Sequence, residues 1–239
     1  MAKPDLQPKS AAIMQPTFLP WMGYFALMDS VDLFVLLDDV QFDKRSWQQR
    51  NKINTAQGPL WLTVPVLTKG RRDQTIREVE IAADAKFPDA MLRSVALSYA
   101  KARYFNRYFA GFETIMRMPG HGLCSLNTAL IIWLAEAFGI TTRITNASDT
   151  PVTSAKADRL VDLCIAQGVT DYVSPPGSKA YLDESTVFQT AGISLAFFDY
   201  SHPQYGQGSG TFEPFMSALD LLFHEGPDGL AVLRSGVPS

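Results

Sequence analysis

Two apolar runs near the start of the chain indicate a parallel sheet. AAIMQ (11–15) is stopped by Pro16, and DLFVLLDD (32–39) is apolar almost throughout, as expected for a strand that is buried on both faces. The segment between them, PTFLPWMGYFALMDSV (16–31), is typical of a Pro-bounded turn followed by a short amphipathic helix. This order of strand, turn, helix and strand predicts a compact βαβ unit.

The rest of the chain continues the alternation of strands and helices. The patterns predict strands at 59–68, 75–82, 141–145, 171–175 and 192–200, and helices at 86–101, 103–117, 123–138, 154–168 and 212–226. We therefore expect an α/β fold with a mainly parallel sheet. A helix-rich middle (about 86–138) forms a cap or insertion, and a frayed turn is expected at the end. Residues 1–10 are expected to be a disordered lead-in, and 11–239 a single domain.

Composition limits the classes of protein that the chain can belong to. With 239 residues, 46% of them hydrophobic, it can bury a sizeable core. The net charge of −3 argues against general nucleic-acid binding, although a local basic pocket stays open. No apolar run reaches the roughly 20 residues of a membrane span, and two cysteines in helical patterns fit a reducing compartment. We expect a cytoplasmic protein.

Two acids end the second strand of the unit. Asp38 and Asp39 fall at the carboxyl end of a parallel strand, where α/β proteins bind ligands. An acid there could hold Mg²⁺, act as a base, or simply pair with Arg45 or Arg50. Because neighbouring side chains on a strand point to opposite faces, we expect at most one of the two to face a crevice.

The loop DKRSWQQRNKI (43–53) suits a phosphorylated or nucleotide-linked ligand. Arginine forks match phosphate oxygens, tryptophan offers a stacking face, and amides add neutral donors and acceptors. The alternative is a solvated loop. The candidate ligand-binding residues of this region are Gln41, Lys44, Arg45, Trp47, Arg50 and Asn51.

Further candidates lie in other turns and in loops after strands. His202 is the best general acid or base, since histidine titrates near neutral pH. Cations at the start of the helix at 154–168 would oppose its dipole unless an anion binds there. The candidate ligand-binding residues of these regions are Gln15, Pro16, Gly23, Tyr24, Lys156, Arg159, Ser174, Lys179, Tyr181, Gln204, Tyr205 and Gln207. No metal site is predicted.

An ordered set of motifs resembles one known family. The stretches are IMQPTFLPWMGYF, VDLFVLLDDVQF, KRSWQQRNKI, WLTVPV, KADRLVDLC, DYVSPPGSKAYLDE and YGQ…FEPFMSALDLLF, spread over about 12–225. Together they resemble the WbqC-like protein family, found in bacterial gene clusters for O-antigen and related surface polysaccharides. The resemblance implies a glycine-transferase role, in which an amino acid is attached to a sugar amine.

A second likeness concerns the fold alone. The first βαβ unit is similar to the start of adenylate-forming enzymes of the pantothenate-synthetase and nucleotidyltransferase type, which implies a Rossmann-like sheet. Those enzymes carry an HxGH turn whose histidines contact ATP phosphates. Here the turn reads WMGY, and Trp21 and Tyr24 replace the histidines while Gly23 matches.

These observations favour a transferase that attaches an acyl or aminoacyl group to the amine of a nucleotide-linked or lipid-linked amino sugar. His202, Asp39 or Asp38 would supply the base. One alternative is an ATP-dependent nucleotidyltransferase or amide ligase using Mg²⁺. Another is a non-catalytic factor that binds a sugar nucleotide or a partner enzyme, and a glycosyltransferase is a further alternative. The acyl donor is open and includes aminoacyl-tRNA, and a homodimer through the aromatic-rich helices is an option.

Overall fold

The computed structural model describes residues 7–84, 86–118, 120, 122–182, 186–208 and 211–238. Its strands are β1 (Ser10–Met14), β2 (Leu33–Leu36), β3 (Arg50–Ile53), β4 (Leu60–Thr63), β5 (Arg143–Asn146), β6 (Asp171–Ser174) and β7 (Ser194–Phe197). Five of them form a parallel sheet in the order β5–β2–β1–β6–β7, while β3 and β4 form a separate antiparallel pair. The predicted α/β fold with a mainly parallel, Rossmann-like sheet is confirmed.

Helices flank this sheet and fill the middle of the chain. They are α1 (Met22–Asp29), α2 (Asp89–Tyr99), α3 (Phe105–Met116), α4 (Leu123–Phe138), α5 (Lys156–Ala166), α6 (Lys179–Leu182), α7 (Val187–Thr190), α8 (Ala218–Glu225) and α9 (Gly229–Ser235). Helix α4 ends where the sequence predicts, because Gly139 adopts the left-handed conformation (φ 82°) that suits glycine at a helix end. None of the helices in the described ranges combines the length and hydropathy needed to cross a bilayer.

The strands of the sheet direct alternate side chains to two separate cores. In β1, Ala12 joins a large core with α1, α4, α8 and the β3–β4 pair, whereas Ala11 and Ile13 join a smaller core with α5 and α7. This alternation follows from the two-residue period of a strand. It also explains why both early runs are apolar almost throughout.

The strand order reverses beside the central strand. The chain passes from β1 to β2 on one side and returns on the other side of β1 with β6. In open parallel sheets, ligands bind beyond the carboxyl ends of the strands at such a reversal. The reversal places residues after β1 and after β6 next to each other at one edge of the sheet.

Three local predictions are wrong. Residues 50–53, predicted as loop, form β3, which pairs with β4. The first part of the segment predicted as a strand at 75–82 is a short 3₁₀ turn (Ile76–Glu78), because Thr75 and Glu78 form a capping box, while Ile81 forms an antiparallel bridge with Val66. The predicted frayed end is the helix α9, whose Leu233 is fully buried.

Candidate functional site

The carboxyl edge of the parallel sheet collects many of the predicted site residues. Gln15 follows β1, Asp38 and Asp39 lie just beyond β2, and Ser174 closes β6. The turn from β1 into α1 and the loop after β7 lie at the same edge. Their side-chain contacts decide which of them remain available to a ligand.

Asp38 is used to join two loops. It is only 5% exposed. Its Oδ1 accepts the backbone N–H of Ser148 at 3.0 Å and its Oδ2 accepts the Ser148 hydroxyl at 2.7 Å. The turn that follows β5 is thereby fixed to the end of β2. Both carboxylate oxygens of this predicted catalytic residue therefore hold the fold.

Asp39 forms an ion pair with Arg159 of α5. The predicted alternative, in which these acids pair with Arg45 or Arg50, is wrong, because α5 begins at the same edge and supplies the cation. Arg159 also donates to the Val152 carbonyl at 3.0 Å, so its charge is engaged within the protein. In the described ranges, Asp39 Oδ1 is buried without a hydrogen-bond partner. Among those same residues, no His, Cys, Asp and Glu side chains gather in a group of three or more that could hold a metal ion.

A chain of side-chain amides lies beneath the end of β1. The Gln48 amide nitrogen donates to Gln15 Oε1 at 2.9 Å, and the Gln48 Oε1 accepts the Asp43 backbone N–H at 2.8 Å. Asn127 of α4 donates to the carbonyls of Pro16 and Gln48 at 2.9 and 2.8 Å. Gln48 and Asn127 are buried while Gln15 is exposed, so the buried amides support a side chain that faces solvent.

The turn between β1 and α1 has no free space at its glycine. A Cβ atom on Gly23 would lie 2.3 Å from the Trp21 ring, so the absent side chain makes room for this indole. Tyr24 is buried and donates to the Gln15 carbonyl at 3.2 Å, and burial raises its pKa. These residues do not fit the phosphate-binding turn of ATP-dependent adenylating enzymes.

His202 is engaged on both ring nitrogens. Its Nε2 accepts the Phe215 backbone N–H at 3.1 Å, and Nδ1 lies 2.8 Å from the Pro203 carbonyl. Because a backbone N–H can only donate, Nε2 carries no proton and Nδ1 is the donor. The ring stacks on Trp21, and burial lowers its pKa. The neutral imidazole thus fixes the loop after β7.

The predicted residues Tyr205 and Gln207 belong to a buried network around Asp220. The Tyr205 and Tyr99 hydroxyls donate to the two Asp220 carboxylate oxygens at 2.8 and 2.7 Å. Gln207 donates to the Tyr205 hydroxyl at 3.2 Å, and the Asn54 N–H donates to the Tyr99 hydroxyl at 3.0 Å. Asp220 is completely buried, and this desolvation raises its pKa.

Two exposed tryptophans and two cations form a surface that we call the indole platform: Trp47, Arg50, Lys52 and Trp61. The indole centroids are 5.4 Å apart, and the two residues are 50% and 43% exposed. The Arg50 guanidinium lies 4.5 Å from the Trp61 centroid, and the Lys52 ammonium lies 5.9 Å from it. The Trp47 carbonyl accepts the Phe18 N–H, which joins the platform to the turn after β1.

The remaining candidates have diverse positions. Asn51 is buried and donates to the carbonyl of Leu19 at 2.7 Å, which supports the same turn. Ser174 is buried against Ser178, and the Tyr181 side chain lies outside the described part of the structure. The exposed candidates are Gln41, Lys44, Arg45, Lys156, Lys179 and Gln204.

A recess of about 690 Å³ lies elsewhere on the molecule. Its walls come from residues 81–84, 87 and 88, the end of α3 and the start of α4, among them Phe87, Met116 and Leu126. No predicted site residue lines it. Its size alone therefore does not connect it with the chemistry at the carboxyl edge of the sheet.

The sequence profile of the WbqC-like protein family matches residues 15–232. The chain belongs to this family. A similar protein, "Uncharacterized protein Rv1507c" of Mycobacterium tuberculosis (strain ATCC 25618 / H37Rv), is 39% identical over 228 residues, which cover 95% of this chain and 98% of the relative. No solved structure matches the chain.

In this WbqC-like protein, the sequence patterns leave out several residues that shape the site. Gln48 is one of the amides that the sequence predicts to add donors and acceptors in its loop, but its positioning of Gln15 is not predicted, and Trp61 lies in the motif WLTVPV. Asn127 interrupts an otherwise apolar helix face, which is a signal of a buried polar contact. Asp220 gives a similar signal within FMSALDLLF.

Proposed function

We propose that this WbqC-like protein transfers an acyl or aminoacyl group, with glycyl as one candidate, to the amine of a nucleotide-linked or lipid-linked amino sugar during synthesis of a bacterial surface polysaccharide. The observation that carries the proposal is the indole platform next to the turn after β1. The platform combines aromatic faces for stacking on rings with cations for binding phosphate, and such a ligand requires both.

The platform offers one surface for rings and another for anions. Indole faces stack on the apolar faces of sugar and base rings. A guanidinium binds phosphate oxygens through paired hydrogen bonds, and the Arg50 guanidinium lies beside the Trp61 ring. Arg45 and Lys44 lie exposed in the same loop and add positive charge. In contrast, Arg159 is engaged with Asp39, so the phosphate role moves to Arg50 and its neighbours.

The chemistry of the transfer requires a proton acceptor. The sugar amine attacks the acyl carbonyl carbon, a C–N bond forms, the donor's leaving group departs with the electrons of the broken bond, and the amine loses a proton. Of the three predicted catalytic side chains, Asp39 retains an oxygen that has no hydrogen-bond partner among the described residues, and this oxygen is buried. His202 and Asp38 use their acceptor atoms within the fold. We therefore assign the base to Asp39.

A binding experiment tests the platform. Titration calorimetry with UDP-, GDP- and dTDP-linked amino sugars should give a measurable Kd for one of them. Arg50→Ala and Trp61→Ala should each weaken that Kd about tenfold or more. Arg107→Ala is the matched control, because Arg107 also lies over an aromatic ring, Tyr108, at 5.3 Å. Equal affinities for the Arg50 and Arg107 variants would refute the phosphate role.

A second candidate function is a non-catalytic factor that binds the same sugar nucleotide in glycan assembly. Its support is the engagement of Asp38 and His202 by backbone N–H groups. Mass spectrometry of the sugar nucleotide, incubated with the protein and activated glycine thioester or glycyl-tRNA, separates the two candidates. Addition of one glycyl group, lost in Asp39→Asn with unchanged Kd, supports the transferase. Binding without any change of mass supports the factor.

A further inference from the structure

We propose that Gln15 presents its amide NH₂ group to a phosphoryl oxygen of the ligand, and that Gln48 sets this polarity without touching the ligand. The inference rests on the proposed function for the kind of ligand, and it adds a specificity-determining residue and a positioning residue. Three features support it: an unambiguous hydrogen-bond sequence, a rigid support, and a position at the reversal of strand order.

The direction of the amide chain follows from one backbone group. The Asp43 N–H can only donate, so the atom of Gln48 that lies 2.8 Å from it must be the carbonyl oxygen. The NH₂ group of Gln48 then faces Gln15, whose nearer atom at 2.9 Å must be its own carbonyl oxygen. The NH₂ group of Gln15 is consequently the end that is left for solvent or a ligand. A side-chain amide elsewhere can rotate by half a turn, but this one loses a hydrogen bond if it does.

The support beneath Gln15 is rigid. Gln48 is 2% exposed, and its carbonyl accepts a hydrogen bond from the fully buried Asn127. The same Asn127 amide holds the Pro16 carbonyl, and Tyr24 holds the Gln15 carbonyl. These bonds fix the backbone that follows the Gln15 side chain, and the Leu37 N–H, which donates to the Met14 carbonyl at 2.8 Å, fixes the backbone before it. A fixed donor loses less conformational entropy on binding than a free side chain does.

The position of Gln15 suits a ligand. It follows the central strand β1, which pairs with β6 where the strand order reverses. Paired N–H donors without a positive charge match oxygens that only accept hydrogen bonds. The adjacent loop carries Arg45 and Arg50, so an anion is favoured and a phosphoryl oxygen is the acceptor that we infer.

Replacing Gln48 inverts the polarity without altering Gln15. In Gln48→Glu, the carboxylate still accepts the Asp43 N–H but cannot donate to Gln15. The Gln15 amide should then turn its NH₂ group inward and its carbonyl oxygen outward. Gln48→Leu removes the constraint, and Gln15 can present either end. The two variants thus differ in which end of the Gln15 amide faces outward: the carbonyl oxygen in Gln48→Glu, and either end in Gln48→Leu.

Nuclear magnetic resonance measures the polarity before any ligand is added. In the wild type, the Gln15 side-chain amide protons should exchange rapidly with solvent, and in Gln48→Glu they should be protected and shifted by the new hydrogen bond. Unchanged Gln15 amide signals in a folded Gln48→Glu protein would overturn the role of Gln48. This arm does not depend on the proposed function.

Binding of inorganic pyrophosphate and UDP-glucosamine completes the test. Either probe should shift the Gln15 amide protons of the wild type, and Gln48→Glu should weaken the Kd by about tenfold or more, compared with about threefold for Gln48→Leu. If pyrophosphate shifts the Gln15 amide protons, a phosphoryl group is sufficient for contact with Gln15, and the sugar is not required. If the wild type binds UDP-glucosamine and both Gln48 variants bind it with the same Kd as the wild type, the inference is wrong while the proposed function stands. If neither probe shifts the Gln15 amide protons, the phosphoryl assignment is overturned.

Discussion

Replacing Asp220 with Asn removes the charge from the buried network that joins α2, α8 and the loop after β7. In the native protein, both carboxylate oxygens accept tyrosine hydroxyls, from Tyr99 at 2.7 Å and from Tyr205 at 2.8 Å. Asparagine has nearly the same shape but offers a single acceptor atom. One tyrosine hydroxyl then faces an NH₂ group and has no acceptor for its own proton.

The expected cost follows from this change in donors and acceptors. A buried donor that loses its acceptor costs about 1–3 kcal/mol, and hydrogen bonds to charged groups contribute about 1.5–3 kcal/mol each. Removing a charge from a completely buried site offsets part of this loss, as the raised pKa of Asp220 indicates. We expect Asp220→Asn to lower the free energy of unfolding by about 2 kcal/mol, and Tm by about 4–8 °C for a chain of this size.

Chemical and thermal unfolding followed by circular dichroism measure this effect. Asp73→Asn, at an exposed loop position, is the matched control and should be within about 0.5 kcal/mol of the wild type. Tyr205→Phe should cost less in the Asp220→Asn background than in the wild type, because the two residues share one hydrogen bond. An Asp220→Asn protein as stable as the wild type at neutral pH would refute the ionised, doubly hydrogen-bonded carboxylate.

The same variant has a predicted pH dependence. Burial raises the pKa of Asp220, so the unfolded chain releases this proton at lower pH than the folded one. The stability of the wild type relative to Asp220→Asn should therefore fall as the pH rises above about 3.9 and become constant once the folded carboxyl is ionised. A difference that grows with pH would contradict the assigned direction.

Three further predictions concern other parts of the fold. Gly23→Ala should lower stability by about 1–3 kcal/mol, because its Cβ would lie 2.3 Å from the neighbouring indole, while Gly177→Ala, with no atom within 4 Å of its Cβ, should change little in thermal unfolding. Burial raises the pKa of Cys124 to about 11 and of Cys164 to about 12, so a thiol reagent at pH 8 should label them only as fast as the protein opens. Burial lowers the pKa of His202, so the stability that its neutral form supplies should be lost as the pH falls below about 6.5, and His202→Asn should flatten that part of the profile.

The sequence predicts the centre of the parallel sheet well, because β1 and β2 are short apolar runs whose pattern needs no knowledge of distant residues. β3 escapes prediction because Arg50 and Lys52 alternate with Asn51 and Ile53, and a buried asparagine breaks the expected apolar face. The turn at Ile76–Glu78 is the opposite case, in which a strand is predicted and a helical turn is found. The capping box of Thr75 and Glu78 favours the helical turn over the strand that the apolar pattern suggests.

The candidate site is less predictable because its key contacts join distant parts of the chain. Nothing near Asp39 in the sequence identifies Arg159 as its partner, and the nearer cations Arg45 and Arg50 mislead. Gln48 and Asn127 are likewise ordinary polar residues until the fold brings them together beneath β1. The sequence shows which functional group a side chain carries. Whether that group is free to bind a ligand depends on contacts with distant parts of the chain.

The strand order also has a consequence for the time at which the protein becomes functional on the ribosome. β1 lies in the centre of the sheet and emerges early, but its neighbour β6 follows more than half the chain later. Until β6 is synthesised, one side of an apolar strand is an open edge that can pair with other chains. The edge of the sheet that we assign to the ligand is complete only after β6 has docked. The nascent protein thus needs protection from aggregation before it gains the capacity to bind.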